Sequence, residues 1–250
     1  MTATPEIRLR ALQGVPAVAP GDDLALLLRA AAERAGIELR DGALVVCQKV
    51  VSKAEGRLVE LSSLEPRPEA QRIAAEDGKD PRQVELVLRE SRRIVRRGHG
   101  VLITETHHGF VCANAGVDLS NAPGPDVAVL LPEDPDASAR RLRDALAGPD
   151  ERLGVVVSDT FGRPWREGLV DQAIGCAGLA PLTDARGTRD LSGRDLQVTV
   201  SATADQLAAA AGLLMEKASG IPAVWIEGIA MHGDAPLATI LRDPTGDLFR

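Results

Sequence analysis

Apolar residues along this 250-residue chain come in short runs, most of them closed by a glycine, a proline or a charged pair. Residues 7–12 alternate weakly and predict a strand, broken by Gly14-Val15-Pro16. After Gly21-Asp22-Asp23, Leu24, Leu27, Leu28 and Ala31 recur at helical spacing, and Gly36 stops the helix. Residues 43–46 predict a buried strand that runs into Gln48-Lys49. Helices are predicted over 68–76 and 81–93, each opened by a proline in its first turn. Residues 101–104 and 110–112 predict a hairpin turned at His108-Gly109. A strand follows at 127–131, a helix at 138–146, and a buried strand at 155–157 that ends at Ser158-Asp159. Residues 162–195 are rich in glycine and charge, with one strand around 173–176. The pattern closes with a helix over 204–218 and a strand over 223–226. Strands and helices mix without a regular βαβ period. The expectation is therefore an α+β or irregular mixed α/β fold, with neither a Rossmann nor a P-loop arrangement.

Composition narrows the function classes. The net charge of −7 argues against a general nucleic-acid binder. Aromatic residues make up 2% of the chain and Tyr is missing, which removes the base-stacking platform of a single-strand binder. Cys47, Cys112 and Cys176 stand far apart with apolar neighbours and no CxxC pair, so buried thiols are expected in place of a zinc site or disulfide framework. No signal peptide and no run of membrane-spanning length is read, and a cytoplasmic location is expected.

Candidate chemistry gathers where apolar runs end, because a rigid element aims a side chain while the loop beside it stays open to ligand. Lys49 and Lys53 fit phosphate neutralisation and solvated surface lysines equally well. Asp118 and Asn121 fit a hard-cation and ribose contact, but a local Asx turn explains them more simply. Asp159-Thr160 reads either as a magnesium ligand pair or as a cap for the next turn. Glu216 falls in the last turn predicted for its helix, where the helix dipole disfavours a carboxylate and a solvated role is the simpler reading. His107 and His108 are adjacent on an extended segment, point to opposite faces and are not expected to chelate one ion.

The combination of motifs carries more than any one of them. Val50-Val51-Ser52-Lys53-Ala54-Glu55-Gly56-Arg57, Ile103-Thr104-Glu105-Thr106, the run from His108 through Ala113-Asn114-Ala115-Gly116-Val117-Asp118, Ser158-Asp159-Thr160-Phe161-Gly162-Arg163-Pro164-Trp165-Arg166 and Gly220-Ile221-Pro222 together resemble the coenzyme F420:L-glutamate ligase family, also called F420-0:gamma-glutamyl ligase. The resemblance runs from about Gly14 to Gly228. It implies a distinctive mixed α/β fold, an interlocked homodimer, and an enzyme that joins L-glutamate to coenzyme F420-0 as GTP becomes GDP and phosphate through an acyl phosphate. It also implies Mg2+ or Mn2+, with K+ as a further ion.

Carried over by position, the resemblance makes Asp118, Asp159, Thr160 and Glu216 metal ligands and gives Asp118, Asp159 and Lys53 the catalytic roles. Nucleotide contacts fall on Gly14, Val15, Pro16, Ala17, Gln48, Lys49, Lys53 and Asn121. They continue along Leu214, Met215, Glu216, Lys217, Ala218, Ser219, Gly220 and Ile221. One ligase domain is expected over residues 1–250, with no flavin-dependent domain after it. The alternatives are the same chemistry on another acceptor acid and a non-catalytic nucleotide or deazaflavin carrier. No nucleic-acid or membrane partner is expected.

Overall fold

The computed structural model describes residues 4–148 and 151–247. In chain order its elements are β1 (Arg8–Ala11), α1 (Leu24–Arg34), β2 (Gly42–Cys47), α2 (Gln48–Ala54), β3 (Leu58–Glu60), α3 (Pro68–Asp77), α4 (Pro81–Arg89), β4 (Ser91–Gly98), β5 (Val101–Thr106) and β6 (Val111–Ala113). They continue with β7 (Val127–Val129), α5 (Pro135–Leu146), β8 (Leu153–Arg163), β9 (Arg166–Ala177), β10 (Thr183–Asp184), β11 (Val200–Ser201), α6 (Thr203–Gly212) and β12 (Ala223–Glu227). The mixed α/β architecture expected from the residue pattern is the one observed. Among the described residues no helix is long and apolar enough to cross a membrane.

The main sheet has the order β1-β12-β2-β8-β9, with every neighbouring pair antiparallel except β2 and β8. Its middle strands are apolar on both faces: Ala43 to Val46, Val155 to Val157 and Val224 to Ile226 are buried. Each large side chain so enclosed contributes about 1.5–3 kcal/mol. Gly42 has no room for a side chain, since a Cβ there would stand 2.5 Å from the Ile226 carbonyl oxygen and from the Trp225 ring. Helices α1, α5 and α6 close this core. A second, smaller core joins α3, α4 and β5 through Ile73, Val84, Val87 and Leu102, and it includes Ala115 just ahead of Asp118.

Three boundaries differ most from the pattern. The helix expected over 81–93 ends at Arg89, and Ser91–Gly98 is a strand. The Ser91 hydroxyl donates to the Val87 carbonyl, and Arg93 and Arg97 find carboxylates on Glu105 and Asp77. The strand expected to stop at Ser158-Asp159 runs on to Arg163 and returns as β9 through Pro164-Trp165. The helix expected over 204–218 ends at Gly212, so Glu216 stands in a separate turn and feels no helix terminus.

Candidate active site

The parallel pairing of β2 with β8 decides where the chemistry collects. Cys47 lies opposite Ser158, so both strands deliver their next residues to the same end of the sheet. The chain leaves β2 directly into α2, whose roughly two turns put Lys49 and Lys53 on one face at i and i+4. The chain leaves Ser158 still in a strand, with Asp159 and Thr160 next in line. Between these ends lies a cleft of about 420 Å³. Val15, Pro16 and Ala17 form one wall, with Lys49, Lys53, Asn121, Asp159, Thr160, Met215, Glu216, Lys217, Gly220 and Ile221 around it.

Asp118 reaches the cleft through Lys49. Its Oδ2 is 2.6 Å from Lys49 Nζ, which also donates to Ser120 Oγ at 2.9 Å. Oδ1 accepts the Ser120 amide at 2.7 Å, so the Asx turn and the charged contact coexist. Burial pushes the Asp118 carboxyl up, and the bonds from Lys49 and Ser120 outweigh it and hold the group below its ordinary value. The loop that places it is tightly wound: Asn114, Ala115 and Gly116 all have positive φ. Gly116 is required there, since a Cβ would come within 2.7 Å of Leu131. Backbone bonds in both directions between Asp118 and Val129 then fix the loop to β7.

Asp159 is the most perturbed carboxyl in the cleft. Burial raises it to about 6, the Thr160 amide and Lys49 oppose the rise, and the charges of Asp118 and Asp171 add to it. Lys53 is lowered, first by burial and then by Lys49. Cys47, on the same wall, is raised by burial, which leaves it a thiol. Across the sheet, Thr160 Oγ1 donates to Asp171 Oδ1 at 2.7 Å.

The far side of the cleft is the turn after α6. The Ser219 amide and hydroxyl both donate to the Glu216 carbonyl, and Ser219 Oγ accepts the Ile221 amide. Asn121, at φ 57°, donates from Nδ2 to the Lys217 carbonyl at 3.4 Å and ties this turn to the Asp118 loop.

Several expected residues lie off the cleft wall. Gln48 is fully buried, and its Oε1 accepts from Ser52. Leu214 packs against the core. The Gly14 carbonyl accepts from Arg34. Ala218 and Ser219 sit in the turn behind the lining residues. The rings of His107 and His108 each bond backbone carbonyls, of Arg89 and of Pro132 and Glu133. Asp171 was not singled out by the residue pattern. The sequence carries no signal for it, because its place opposite Thr160 depends on a shift of register in the β8–β9 ladder.

Among the described residues no three His, Cys, Asp or Glu side chains converge as a metal cage. The donors lining the cleft include carboxylate and hydroxyl oxygens from Asp159, Thr160, Asp171 and Glu216. Such a set suits a hard cation that needs one or two carboxylates and takes waters and ligand oxygens for the rest.

Related proteins define the class. The chain is 46% identical over 250 residues to a protein of Methanothermobacter thermautotrophicus, covering 98% of this chain and 99% of that one. It is 48% identical over 259 residues to one of Methanopyrus kandleri, covering 100% of both. A third, from Archaeoglobus fulgidus, is 40% identical over 96% of this chain and 94% of its own length. All three are named coenzyme F420:L-glutamate ligase. Fold, cleft and relatives thus define a mixed α/β enzyme of the ligase class. The family model for F420-0:gamma-glutamyl ligase matches residues 14–228, a span that holds every cleft residue named above, and the chain belongs to that family.

Proposed function

We propose that this protein forms an amide bond between L-glutamate and coenzyme F420-0, with GTP as the driving substrate. The observation that carries this reading is the convergence of Lys49, Lys53, Asn121, Asp159, Thr160 and Glu216 on one cleft. A carboxylate is a poor acyl donor. In the proposed reaction an acceptor carboxylate oxygen bonds to the γ-phosphorus of GTP and the bond to GDP breaks. The glutamate amine, having given up a proton, then bonds to the acyl carbon and phosphate leaves. Neither step asks the protein for a covalent bond; it needs alignment and charge neutralisation.

Lys53 and Lys217 are the lining lysines open to phosphate, since Lys49 is already paired with Asp118. The apolar wall of Val15, Pro16 and Ala17 excludes water from one side of the ligand. Asn121 and the turn from Met215 to Ile221 grip the nucleotide across the cleft, and Glu216 and Asp118 complete the charge balance. Mg2+ or Mn2+, held by Asp118, Asp159, Thr160 and Glu216, would draw negative charge off the transferred phosphoryl oxygens; K+ is a further candidate ion. The same reading has the protein act as a cytoplasmic homodimer. The exposed Trp165 and Leu169 around the β8–β9 turn support a partner surface there.

The test is mass spectrometry of F420-0 after incubation with the protein, L-glutamate, GTP and Mg2+ or Mn2+. Gain of one or more glutamyl units, lost when GTP or metal is omitted, is expected, and the product masses count the additions. Phosphate release with a different acid, and none with F420-0, would assign another acceptor. GTP binding without phosphate release on any acid would leave a carrier.

A further inference from the structure

Thr160 Oγ1 carries one proton, and that proton is committed. Its partner Asp171 is a carboxylate, which only accepts, so at 2.7 Å the hydroxyl must be the donor. What Thr160 has left to offer the cleft is lone pairs. A phosphate oxygen arriving there meets like charge density; a cation meets a ligand.

The fold builds this pairing on purpose-made geometry. In the β8–β9 ladder Val157 faces Gly175 but Ser158 faces Ala173, so β9 carries one extra residue, Ile174. That bulge brings Asp171 opposite Thr160; an unbroken ladder would put Gln172 there. Space for the carboxylate comes from Gly212, the last residue of α6. A Cβ at 212 would stand 2.8 Å from Asp171 Oδ2 and 3.0 Å from its Cγ. Among the described residues Asp171 has no salt-bridge partner, although it lines the cleft.

We propose that Asp171 is a positioning residue that holds Thr160 as a pure acceptor toward the cleft, so that Thr160 meets the cation of the reaction and not a phosphate oxygen. The inference rests on the metal-dependent reading of the cleft given above. Gly212 serves it by leaving the carboxylate its place.

The experiment is titration of the full-length protein with Mn2+, followed by the loss of free Mn2+ signal in electron paramagnetic resonance, for wild type, Asp171→Ala, Thr160→Val and the double variant. Metal-free GTP affinity and thermal unfolding are measured beside it. Asp171→Ala is expected to weaken Mn2+ binding about 10- to 100-fold, the range for residues that orient a ligand. Thr160→Val should do the same and the double variant no more, because one contact is removed twice. Metal-free GTP affinity should stay near that of wild type. Gly212→Ala, whose Cβ would push the carboxylate from its place, should weaken Mn2+ binding in the same way. Asp171→Asn, isosteric and neutral, decides the matter if the alanine variant does not fold, and it too should bind Mn2+ more weakly. Wild-type Mn2+ affinity in folded Asp171 variants, or additive losses in the double variant, would overturn the role of Asp171 alone. A wild-type protein that binds no Mn2+ would overturn the metal reading of the cleft and this inference with it.

Discussion

Asp205, in the first turn of α6, accepts the backbone amide of Ala173 on β9 at 3.0 Å. Ala173 stands at the bulge, where the ladder with β8 shifts by one residue. A helix side chain thus takes up a donor at the place where the sheet register slips. Burial raises the Asp205 carboxyl above its ordinary value, and the Ala173 amide opposes that rise. Asp205→Ala leaves a donor without its acceptor and should cost about 1–3 kcal/mol in denaturant unfolding. Asp205→Asn keeps an acceptor oxygen and sheds the burial penalty on charge, so it should unfold at or above the wild-type midpoint. Equal losses in the two variants would mean that the charge, and not the bond, holds the bulge.

Asp159→Asn should separate stability from activity. The carboxyl is raised to about 6, so at pH 7 it is ionised against the pull of its surroundings. With a folded value above the unfolded one, the native state binds the proton more tightly, and this group's contribution falls as pH rises through that window. A neutral amide removes the cost. In the presence of a chelator Asp159→Asn should melt no lower than wild type, while glutamyl transfer to F420-0 is abolished. A variant that turns over normally would remove Asp159 from the reaction.

Lys53→Ala should weaken GTP binding by about 1.5–3 kcal/mol, the size of a hydrogen bond to a charged group. The side chain is half-buried on the cleft wall and, among the described residues, makes no ion pair that its loss would strand. Its melting temperature should therefore stay close to wild type. Calorimetric titration with GTP checks the first half of this expectation and a thermal scan the second; unchanged affinity would return Lys53 to an ordinary solvated lysine.

Glu85 governs acid stability in the smaller core. Its side chain is 1% exposed and accepts from the Arg67 amide and from the guanidinium groups of Arg67 and Arg89. Burial pushes its carboxyl up, but these bonds outweigh burial and hold it below the ordinary 4.5. The unfolded chain therefore takes up the proton first as pH falls. The stabilisation is complete above 4.5 and drains away below it, as pH falls through the folded value. Glu85→Gln should lower stability at pH 7 and flatten the loss between neutral and acid pH, read from denaturant midpoints across that range.

The residue pattern disclosed most of the sheet, because strands β2, β8 and β12 are apolar enough to declare themselves. It missed α2, whose seven residues include the β-branched pair Val50-Val51 and lack a side-chain cap, so that packing against the sheet rather than local preference makes it helical. It overran α6, since the alanines of that helix continue into Leu213-Leu214 without a break in hydrophobicity, while Gly212 ends it. In the site, Lys49, Lys53 and Asp159 drew notice from their place beside strand ends, although the residue pattern fitted plain structural roles equally well. Asp171, eleven residues after Thr160, was hidden because its place opposite Thr160 depends on a bulge, and a bulge leaves no mark in composition.

The place of β12 has a consequence for how the chain is made. It is the last of the described strands in sequence, yet it lies between β1 and β2 in the sheet. On the ribosome, β1 therefore waits without a partner until the more than two hundred residues between it and β12 have been synthesised. Over the same interval β2, all of it apolar or glycine, presents an open edge to any neighbouring chain. Insertion of Ala223–Glu227 seals both strands at once and brings Pro222 and Ile221 to the cleft. Nascent copies are thus exposed to edge-to-edge aggregation up to the moment at which the cleft is completed.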